Sequence, residues 1–192
     1  MTKEIENIIE HTLQYEGGYT APIAGDKGGE TMCGIARNYH PKWEGWKIVD
    51  AKKPLKYNQQ IPEIKPLVRE FYYKYFFLPA NCDIFLNHSQ ALALIVFDLA
   101  VNSGISRANK ALQTALNKQL SRKDQLKVDG IVGPMTHNMM EVEEFDWHKV
   151  AKDILEYRQS YLISIAKGSK AKFLKGWLAR VSKLEIILKE EK

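Results

Sequence analysis

One segment in the middle of the chain restricts the fold more than any other. It begins at Ser89, a residue type that favours helix N-termini, and ends at Gly104, which suits a helix exit. Between these residues the chain reads ALALIVFDLAV, which is apolar on nearly every face of a helix. Because such a helix has no face for water, other helices must surround it. The sequence therefore predicts a central buried helix within a mainly α-helical protein.

Helical periodicity recurs along most of the remaining chain. Apolar residues at three- and four-residue steps predict a first helix that carries Glu16 near its apolar edge and ends at Gly17–Gly18. The same reasoning predicts further helices that begin near Pro66, Ser106, Pro134, Asp146 and Lys170. In the last of these, the inward face is predicted to carry Phe173, Trp177, Val181, Leu184 and Leu188. Glycine-rich residues 19–35 indicate a short irregular or hairpin insertion after the first helix, and residues 41–62 are predicted to be irregular.

Composition excludes several classes of protein. An apolar fraction of 45% over 192 residues supports a packed core, in one large domain or in two lobes. No segment approaches the roughly 18 uninterrupted apolar residues of a membrane-spanning helix, so we expect no stable membrane insertion. Residues 1–18 alternate charge with Ile and Leu and lack a Sec-type signal pattern. We therefore expect the protein to be made in the cytoplasm and to need another exit to reach any outside target.

Charge and cysteine content limit the partners, disulfides and metal sites that the chain can have. The net charge of +5 suits polyanions in general, but the basic residues are spread along the chain, and their mild clustering at residues 167–183 indicates a solvated helix face. Nucleic acid is therefore not an expected partner. Two cysteines, Cys33 and Cys82, are too few for a disulfide framework or a zinc site, although one bridge between them stays open. No metal-ligand motif is present, so no metal is expected.

Residues 16–35, EGGYTAPIAGDKGGETMCGI, are the most informative stretch. A carboxyl at a helix end, Glu16, precedes a glycine-rich turn that carries Asp26 and Thr31. Cleaving a glycosidic bond needs an acid to protonate the leaving oxygen and a second group that attacks or positions water. Burial beside Leu13 would raise the pKa of Glu16 and suit it to the first role, with Asp26 or Thr31 holding the water. On spacing alone, a surface glutamate and a turn-forming aspartate explain the same residues.

Three groups of short motifs, spread over most of the chain, match the pattern of one family. The first group is Glu16-Gly17-Gly18-Tyr19, Asp26, Gly28-Gly29, Thr31 and Gly34-Ile35. The second is Phe97-Asp98, Asn102-Ser103-Gly104, Ala108, Ala111-Leu112-Gln113, Asp129-Gly130, Gly133 and Thr136. The third is Phe173-Leu174, Gly176-Trp177-Leu178 and Arg180-Val181. Together they resemble glycoside hydrolase family 108, whose members are muramidases and include secretion activators.

The resemblance implies a lysozyme-like fold and hydrolysis of the β-1,4 bond between N-acetylmuramic acid and N-acetylglucosamine, with Glu16 as the general acid. It divides the chain into a catalytic lobe, residues 1–88, and a helical peptidoglycan-binding region, residues 89–192. Asp26 falls one position later than the aspartate of phage-type lysozymes, so its role carries over less directly. Protonation and water attack need no cofactor. The expected partner is the glycan strand of peptidoglycan. We expect the protein to act on it in the cell wall or periplasm after release through a holin or a secretion system.

Three further side chains are candidates for substrate binding. Asp98 and Asn102 lie one turn apart on the apolar helix, and they either brace the core through hydrogen bonds or bind sugar. Tyr19 either stacks on a sugar ring or packs against the loop. Gly130 and Gly133 are predicted to adopt backbone angles that other residues resist.

Two other functions stay open at this point. Cys33 admits a Cys-His amidase that attacks the peptide stems of the same polymer, although no thiol-protease motif surrounds it. The second is a non-catalytic cell-wall-binding or secretion-assisting protein, against which the intact Glu16 argues.

Overall fold

The computed structural model describes residues 1–191, which form two compact units, residues 1–75 and the residues from Phe76 onward. Over this part of the chain, nine α-helices accompany one small three-stranded sheet, which confirms the mainly α-helical prediction. The division of the chain after residue 88 into a catalytic lobe and a peptidoglycan-binding region stays a prediction. None of the helices within residues 1–191 has the length and apolar character needed to cross a membrane.

The first unit combines helices with the small sheet. Its elements are α1 (Lys3–Leu13), β1 (Tyr19–Thr20), β2 (Thr31–Met32), β3 (Ile35–Ala36), α2 (Gly45–Ala51), a 3₁₀ turn (Pro62–Ile64) and α3 (Lys65–Tyr72). The apolar stripe of α1 is buried at Ile5, Ile8 and Ile9, as the three- and four-residue spacing predicts. A π-helical turn, Tyr73–Phe77, follows α3 and carries the chain into the second unit.

The sheet is the hairpin insertion that the glycine-rich segment predicts. Its strands are antiparallel in the order β1-β2-β3, with Tyr19 opposite Met32 and Thr31 opposite Ala36. A two-residue turn joins β2 to β3, and both of its residues have positive φ, 50° at Cys33 and 77° at Gly34. This backbone matches the right-handed twist of hairpin strands, but cysteine rarely adopts it.

The first helix ends earlier than predicted, so Glu16 lies in a turn beyond α1 instead of on the helix. The amide of Glu16 donates to the carbonyl of Leu13 at 3.0 Å, a three-residue bond that tightens the chain into that turn. The left-handed exit predicted at Gly17–Gly18 is wrong, since neither glycine has positive φ. Gly18 serves a close approach instead, because an added Cβ would lie 2.6 Å from the carbonyl oxygen of Asn58.

Residues 41–62 are more ordered than predicted. They contain α2, and Trp46 on that helix is buried with its indole N–H donating to the carbonyl of His40 at 2.8 Å. Trp46, Val49 and Ile61 of this segment therefore belong to the core of the first unit.

The second unit is a set of helices around the predicted central one. Its elements are α4 (Cys82–Leu86), α5 (Gln90–Ser103), α6 (Ile105–Asn117), α7 (Pro134–Val142), α8 (Trp147–Ile165), a 3₁₀ segment (Gly168–Phe173) and α9 (Leu174–Glu190). Residues 91–100 of α5 are all buried, and α4, α6, α8 and α9 pack against this helix. Ser89 caps α5 by accepting a hydrogen bond from the amide of Leu92 at 2.9 Å.

The helix starts at Pro134 and at the Asp146 cap are confirmed, whereas the last helix differs from the prediction. Residues 168–173 form a 3₁₀ segment, and α9 begins at Leu174. The side chain of Phe173 therefore precedes the helix and is 50% exposed instead of facing inward, and Trp177 is half-buried.

Candidate active site

The carboxyl of Glu16 lines a cleft of about 240 Å³ in the first unit. The side chain is half-buried, because the turn after α1 places it between the helix and the β2–β3 hairpin. Leu13 and Val68 form apolar parts of the wall, and Cys33 closes it on the hairpin side. A carboxyl in this setting is partly shielded from water yet open to a ligand, which is what a general acid requires.

The turn at Cys33–Gly34 is pressed against the acid. An added Cβ at Gly34 would lie 2.8 Å from Oε2 of Glu16 and 2.5 Å from the hydroxyl oxygen of Tyr72. That hydroxyl donates to the carbonyl oxygen of Cys33 at 2.9 Å and so ties the hairpin to α3. Glycine at this position thus serves two needs at once, a left-handed backbone and the absence of a side chain beside a carboxyl.

The thiol of Cys33 is unsuited to nucleophilic attack. Burial raises its pKa to about 11, the negative charge of Glu16 adds to this, and the opposing charge of Lys65 is too weak to offset it. A reactive cysteine has a lowered pKa and a thiolate at neutral pH. Both Cys33 and Cys82 are free thiols, so no bridge joins them. The raised pKa of the Cys33 thiol therefore speaks against the Cys-His amidase alternative.

Four polar residues of the cleft were missed by sequence reasoning. They are Glu10, Gln14, Gln60 and Lys65. Gln60 and Lys65 come from a segment more than forty positions beyond Glu16, and no motif marks them. Lys65 begins α3, which packs against α1, and Gln60 lies in the segment that leads to it. Lys65 gives the cleft a positive charge that a substrate carboxylate or a developing negative charge would meet.

The segment at Asn58 holds the turn that follows Glu16. The side-chain oxygen of Asn58 accepts a hydrogen bond from the amide of Gly18 at 2.7 Å, and its own amide donates to the carbonyl of Tyr19 at 2.7 Å. The amide of Tyr19 in turn donates to the carbonyl of Gln59 at 3.0 Å. Part of residues 41–62, which are predicted to be irregular, thus positions the candidate acid.

Asp26 and Thr31 have different settings. Asp26 is exposed, and its Oδ1 accepts a hydrogen bond from the amide of Gly28 at 2.8 Å, which is the turn-forming alternative. Thr31 is half-buried on β2, two positions before Cys33. Neither Asp26 nor Thr31 is among the residues that line the cleft.

Tyr19 is a packing residue. Its side chain is 7% exposed, and its hydroxyl donates to Oε2 of Glu30 at 2.9 Å. This placement favours packing against the loop over stacking on a sugar ring.

Glu30 is a second buried carboxyl of the first unit, which the sequence reasoning did not single out. It is ion-paired to Arg37 and accepts a hydrogen bond from Nζ of Lys53 at 3.0 Å. Burial alone would raise the pKa of Glu30, but the hydrogen bonds from Lys53 and Tyr19 and the nearby positive charges lower it. The ionised Glu30 fixes the start of β2 and so braces the hairpin.

Asp98 and Asn102 lie on α5 in the second unit. Asp98 is fully buried, and its carboxylate contacts Nη2 of Arg158 at 3.1 Å and Nε of Arg180 at 2.9 Å. A sugar cannot reach this carboxylate, so its placement favours the core-bracing alternative. Asn102 is exposed, and its Oδ1 accepts a hydrogen bond from Ser103 at 3.2 Å.

The loop after α6 contains Gly130 and Gly133, and the first of them adopts the kind of backbone angle that the sequence predicts. Gly130 has φ of 83°, and its amide and carbonyl pair with Gln113 at 2.9 Å and Asn109 at 3.0 Å. Gly133 is extended, with φ of −110°, so its predicted special angle is wrong.

Comparison with known proteins agrees with these features. The family model described as glycosyl hydrolase 108 matches residues 9–104, and one described as "Predicted Peptidoglycan domain" matches residues 107–182. Among solved structures, the SagA protein of Brucella abortus aligns over 97% of this chain and 94% of its own, with a TM-score of 0.66 and 23% identity. No curated protein sequence matches the chain.

The fold and the acid-bearing cleft define a lysozyme-like, mainly α-helical protein of the glycoside hydrolase class. Since the first family model spans half of the chain, the protein belongs to glycoside hydrolase family 108.

Proposed function

We propose that the protein is a muramidase, which hydrolyses the β-1,4 bond between N-acetylmuramic acid and N-acetylglucosamine in peptidoglycan. The observation that carries this proposal is the position of the Glu16 carboxyl, half-buried in a cleft with the backbone of Gly34 against it. The match of residues 107–182 to a peptidoglycan domain supports the class of polymer. In this proposal the enzyme acts on the wall after release from the cytoplasm through a holin or a secretion system.

In the proposed reaction, the protonated Glu16 donates its proton to the glycosidic oxygen as the bond from that oxygen to the anomeric carbon breaks. Water then attacks the anomeric carbon and loses its proton to a carboxylate or to bulk water, and Glu16 takes up a proton before the next cycle. Thr31 is our candidate for orienting this water, because it lies on β2 of the hairpin whose turn at Cys33–Gly34 borders Glu16. Asp26 has a weaker claim, since its Oδ1 already stabilises the turn at Gly28.

A second candidate function is binding to the wall without turnover. Two observations favour it: a peptidoglycan domain model matches most of the second unit, and Asp26 serves a turn in the first. It differs from the muramidase in one measurable respect, since the wall would be bound and not cut.

Mass spectrometry of peptidoglycan digested by the full-length protein tests the proposal. After borohydride reduction, we expect reduced N-acetylmuramic acid at the new chain ends. Reduced N-acetylglucosamine ends would overturn the assigned bond, and severed stem peptides would indicate an amidase. Sedimentation of the intact protein with undigested wall would favour the binding function. The digestion is repeated with the Glu16→Gln variant. Its matched control is Glu44→Gln, which removes an exposed carboxylate that pairs with Lys47 on the surface.

A further inference from the structure

A second cavity of about 270 Å³ lies in the first unit and shares no lining residue with the cleft of Glu16. Its wall is largely aromatic and comprises Tyr39, His40, Lys42, Trp43, Phe71 and Tyr75, together with Pro41. We call it the Tyr39–Tyr75 pocket. Pockets for small ligands combine an apolar wall with a few polar groups, and their volumes begin at about 300 Å³. This one is therefore of a size for a single ring-sized group.

The rings of the pocket hold one another in place. The ring centres of His40 and Phe71 are 4.6 Å apart in an edge-to-face arrangement, and Phe71 and Tyr75 are also 4.6 Å apart. The indole N–H of Trp43 donates to the carbonyl of Leu67 at 3.4 Å, which anchors that ring on α3. A wall of fixed rings loses little side-chain entropy when a ligand binds.

Two tyrosines leave a large part of their rings open to solvent. The side chain of Tyr39 is 65% exposed and that of Tyr75 is 44% exposed. Each presents an apolar ring face and a hydroxyl at its tip. Burial lowers the pKa of His40, so its imidazole is a neutral hydrogen-bonding group at neutral pH. Lys42 adds a mobile donor at the rim.

This combination matches the chemistry of a pyranose ring. A sugar has a flat apolar face of C–H groups, which stacks on an aromatic ring, and a rim of hydroxyl and acetamido groups, which pair with polar tips. The lining residues carry no carboxylate, so nothing in the pocket repels the lactyl and stem-peptide carboxylates that accompany such sugars in peptidoglycan.

The pocket and the catalytic cleft use neighbouring faces of one helix. Val68 lines the cleft, whereas Phe71 and Tyr75 line the pocket, on α3 and the π-helical turn that continues it. The seven positions from Val68 to Tyr75 correspond to about 10 Å along a helix axis. A polymeric glycan has further rings at such distances from the bond that is cleaved.

We propose that the Tyr39–Tyr75 pocket binds one sugar ring of the glycan strand at a distance from the bond cleaved at Glu16. The identity of the polymer rests on the proposed function, whereas the recognition of a sugar ring rests on the pocket itself. The pocket would hold the protein on long strands and would not contribute to cleavage of fragments that are too short to reach it.

Nuclear magnetic resonance tests the occupant directly. With the full-length Glu16→Gln variant, tetra-N-acetylchitotetraose should shift the indole signal of Trp43 and leave that of Trp147, in the second unit, unchanged. A soluble stem peptide without sugar should leave the Trp43 signal in place. A shift of Trp43 by the peptide and not by the sugar would overturn the proposal.

Binding to purified peptidoglycan tests the contribution of the open tyrosines. Tyr39→Ala and Tyr75→Ala should each weaken co-sedimentation about 3- to 10-fold, the loss expected for one aromatic contact of about 0.5–1.5 kcal/mol. Tyr57→Ala is the matched control, because that tyrosine is 83% exposed in the same unit but lies outside the pocket. Since Tyr75 also packs on Phe71, a circular dichroism spectrum checks its fold, and Tyr39→Ala carries the test if Tyr75→Ala unfolds.

The two proposals fail separately. If wild-type protein yields the expected muramic ends while both tyrosine variants bind like Tyr57→Ala, the pocket proposal is wrong and the muramidase stands. If no bond is cut but both variants lose binding, the pocket stands and the muramidase is wrong.

Discussion

Two carboxylates of this protein, one in each unit, show what separates a reactive group from a structural one. Glu16 is half-buried at the wall of a cleft, and backbone atoms of a hairpin are its close neighbours. Asp98 is fully buried, and two arginine side chains neutralise it. Both residues belong to the motifs that match the family, but the sequence alone leaves open whether Asp98 binds sugar or braces the core.

The difference lies in what each setting leaves available. A carboxylate between two guanidinium groups holds its charge and has no access to solvent, so it contributes to folding. A carboxyl in an open cleft with backbone and thiol neighbours can gain and lose a proton while a ligand is bound. Access to solvent and the charges of neighbouring side chains, more than burial, distinguish the two roles.

The largest expected effect is on catalysis at Glu16. Glu16→Gln keeps the shape of the side chain but has no proton to donate, so the rate of wall hydrolysis should fall about 10²- to 10⁴-fold. The melting temperature should stay close to that of the wild type. A turbidity assay on purified peptidoglycan, together with thermal unfolding, measures both. Lysis at the wild-type rate would end the assignment of Glu16 as the acid.

At Asp98 the expected effect of a substitution is on the stability of the fold. Asp98→Asn leaves the charges of Arg158 and Arg180 without their buried partner, and it should lower the free energy of unfolding by about 3–5 kcal/mol. Glu44→Gln is the control, since Glu44 and its partner Lys47 are 65% and 78% exposed and such pairs contribute about 1 kcal/mol or less. Urea denaturation compares them. Equal losses in the two variants would show that the arginine pair is not a special element of the core.

A smaller effect is expected from crowding the acid. Gly34→Ala adds a Cβ beside Glu16 and Tyr72 and should lower activity about 10- to 100-fold by displacing the carboxyl. Gly25→Ala provides the control, because Gly25 also has positive φ, 86°, but has open space around it. Both variants should lose about 1 kcal/mol of stability through backbone strain. The activity assay separates them, and a fully active Gly34→Ala protein would contradict the close packing around the acid.

The smallest effect is expected at Cys33. Cys33→Ser removes a thiol that is protonated at neutral pH, so wall hydrolysis should stay within about threefold of the wild-type rate if the thiol contributes only packing. Melting curves establish whether the variant is folded. Complete loss of activity in a folded Cys33→Ser protein would restore the amidase interpretation.

Much of the fold followed from local patterns. The central helix α5 was predictable because its apolar run, its serine cap and its closing glycine all lie within one short segment. Helix starts at Pro134 and Asp146 were predictable for the same reason. The end of α1 was not, because the chain tightens through three-residue hydrogen bonds that leave no mark in the sequence.

The candidate site was predictable only in its first residue. Glu16 stood out through its motif, but Lys65 and Gln60 reach the cleft through long-range packing. The supporting roles of Asn58 and Tyr72 depend on single hydrogen bonds across the fold, which no spacing rule anticipates. Asp26 shows that a residue predicted for catalysis from its chemistry can have a structural role, since its side chain stabilises a local turn.

The Cys33 thiol, in the wall of the cleft that holds Glu16, gives this protein a built-in chemical reporter. Cys82 is fully buried, so an alkylating reagent applied to the folded protein meets Cys33 alone of the two cysteines. Because burial raises the pKa of Cys33 to about 11, little of the thiol is ionised near neutral pH, so we expect labelling to be slow and to accelerate as the pH rises. Since Cys33 and Glu16 line the same cleft, the proposed function predicts that a bound glycan shields the thiol and slows its labelling.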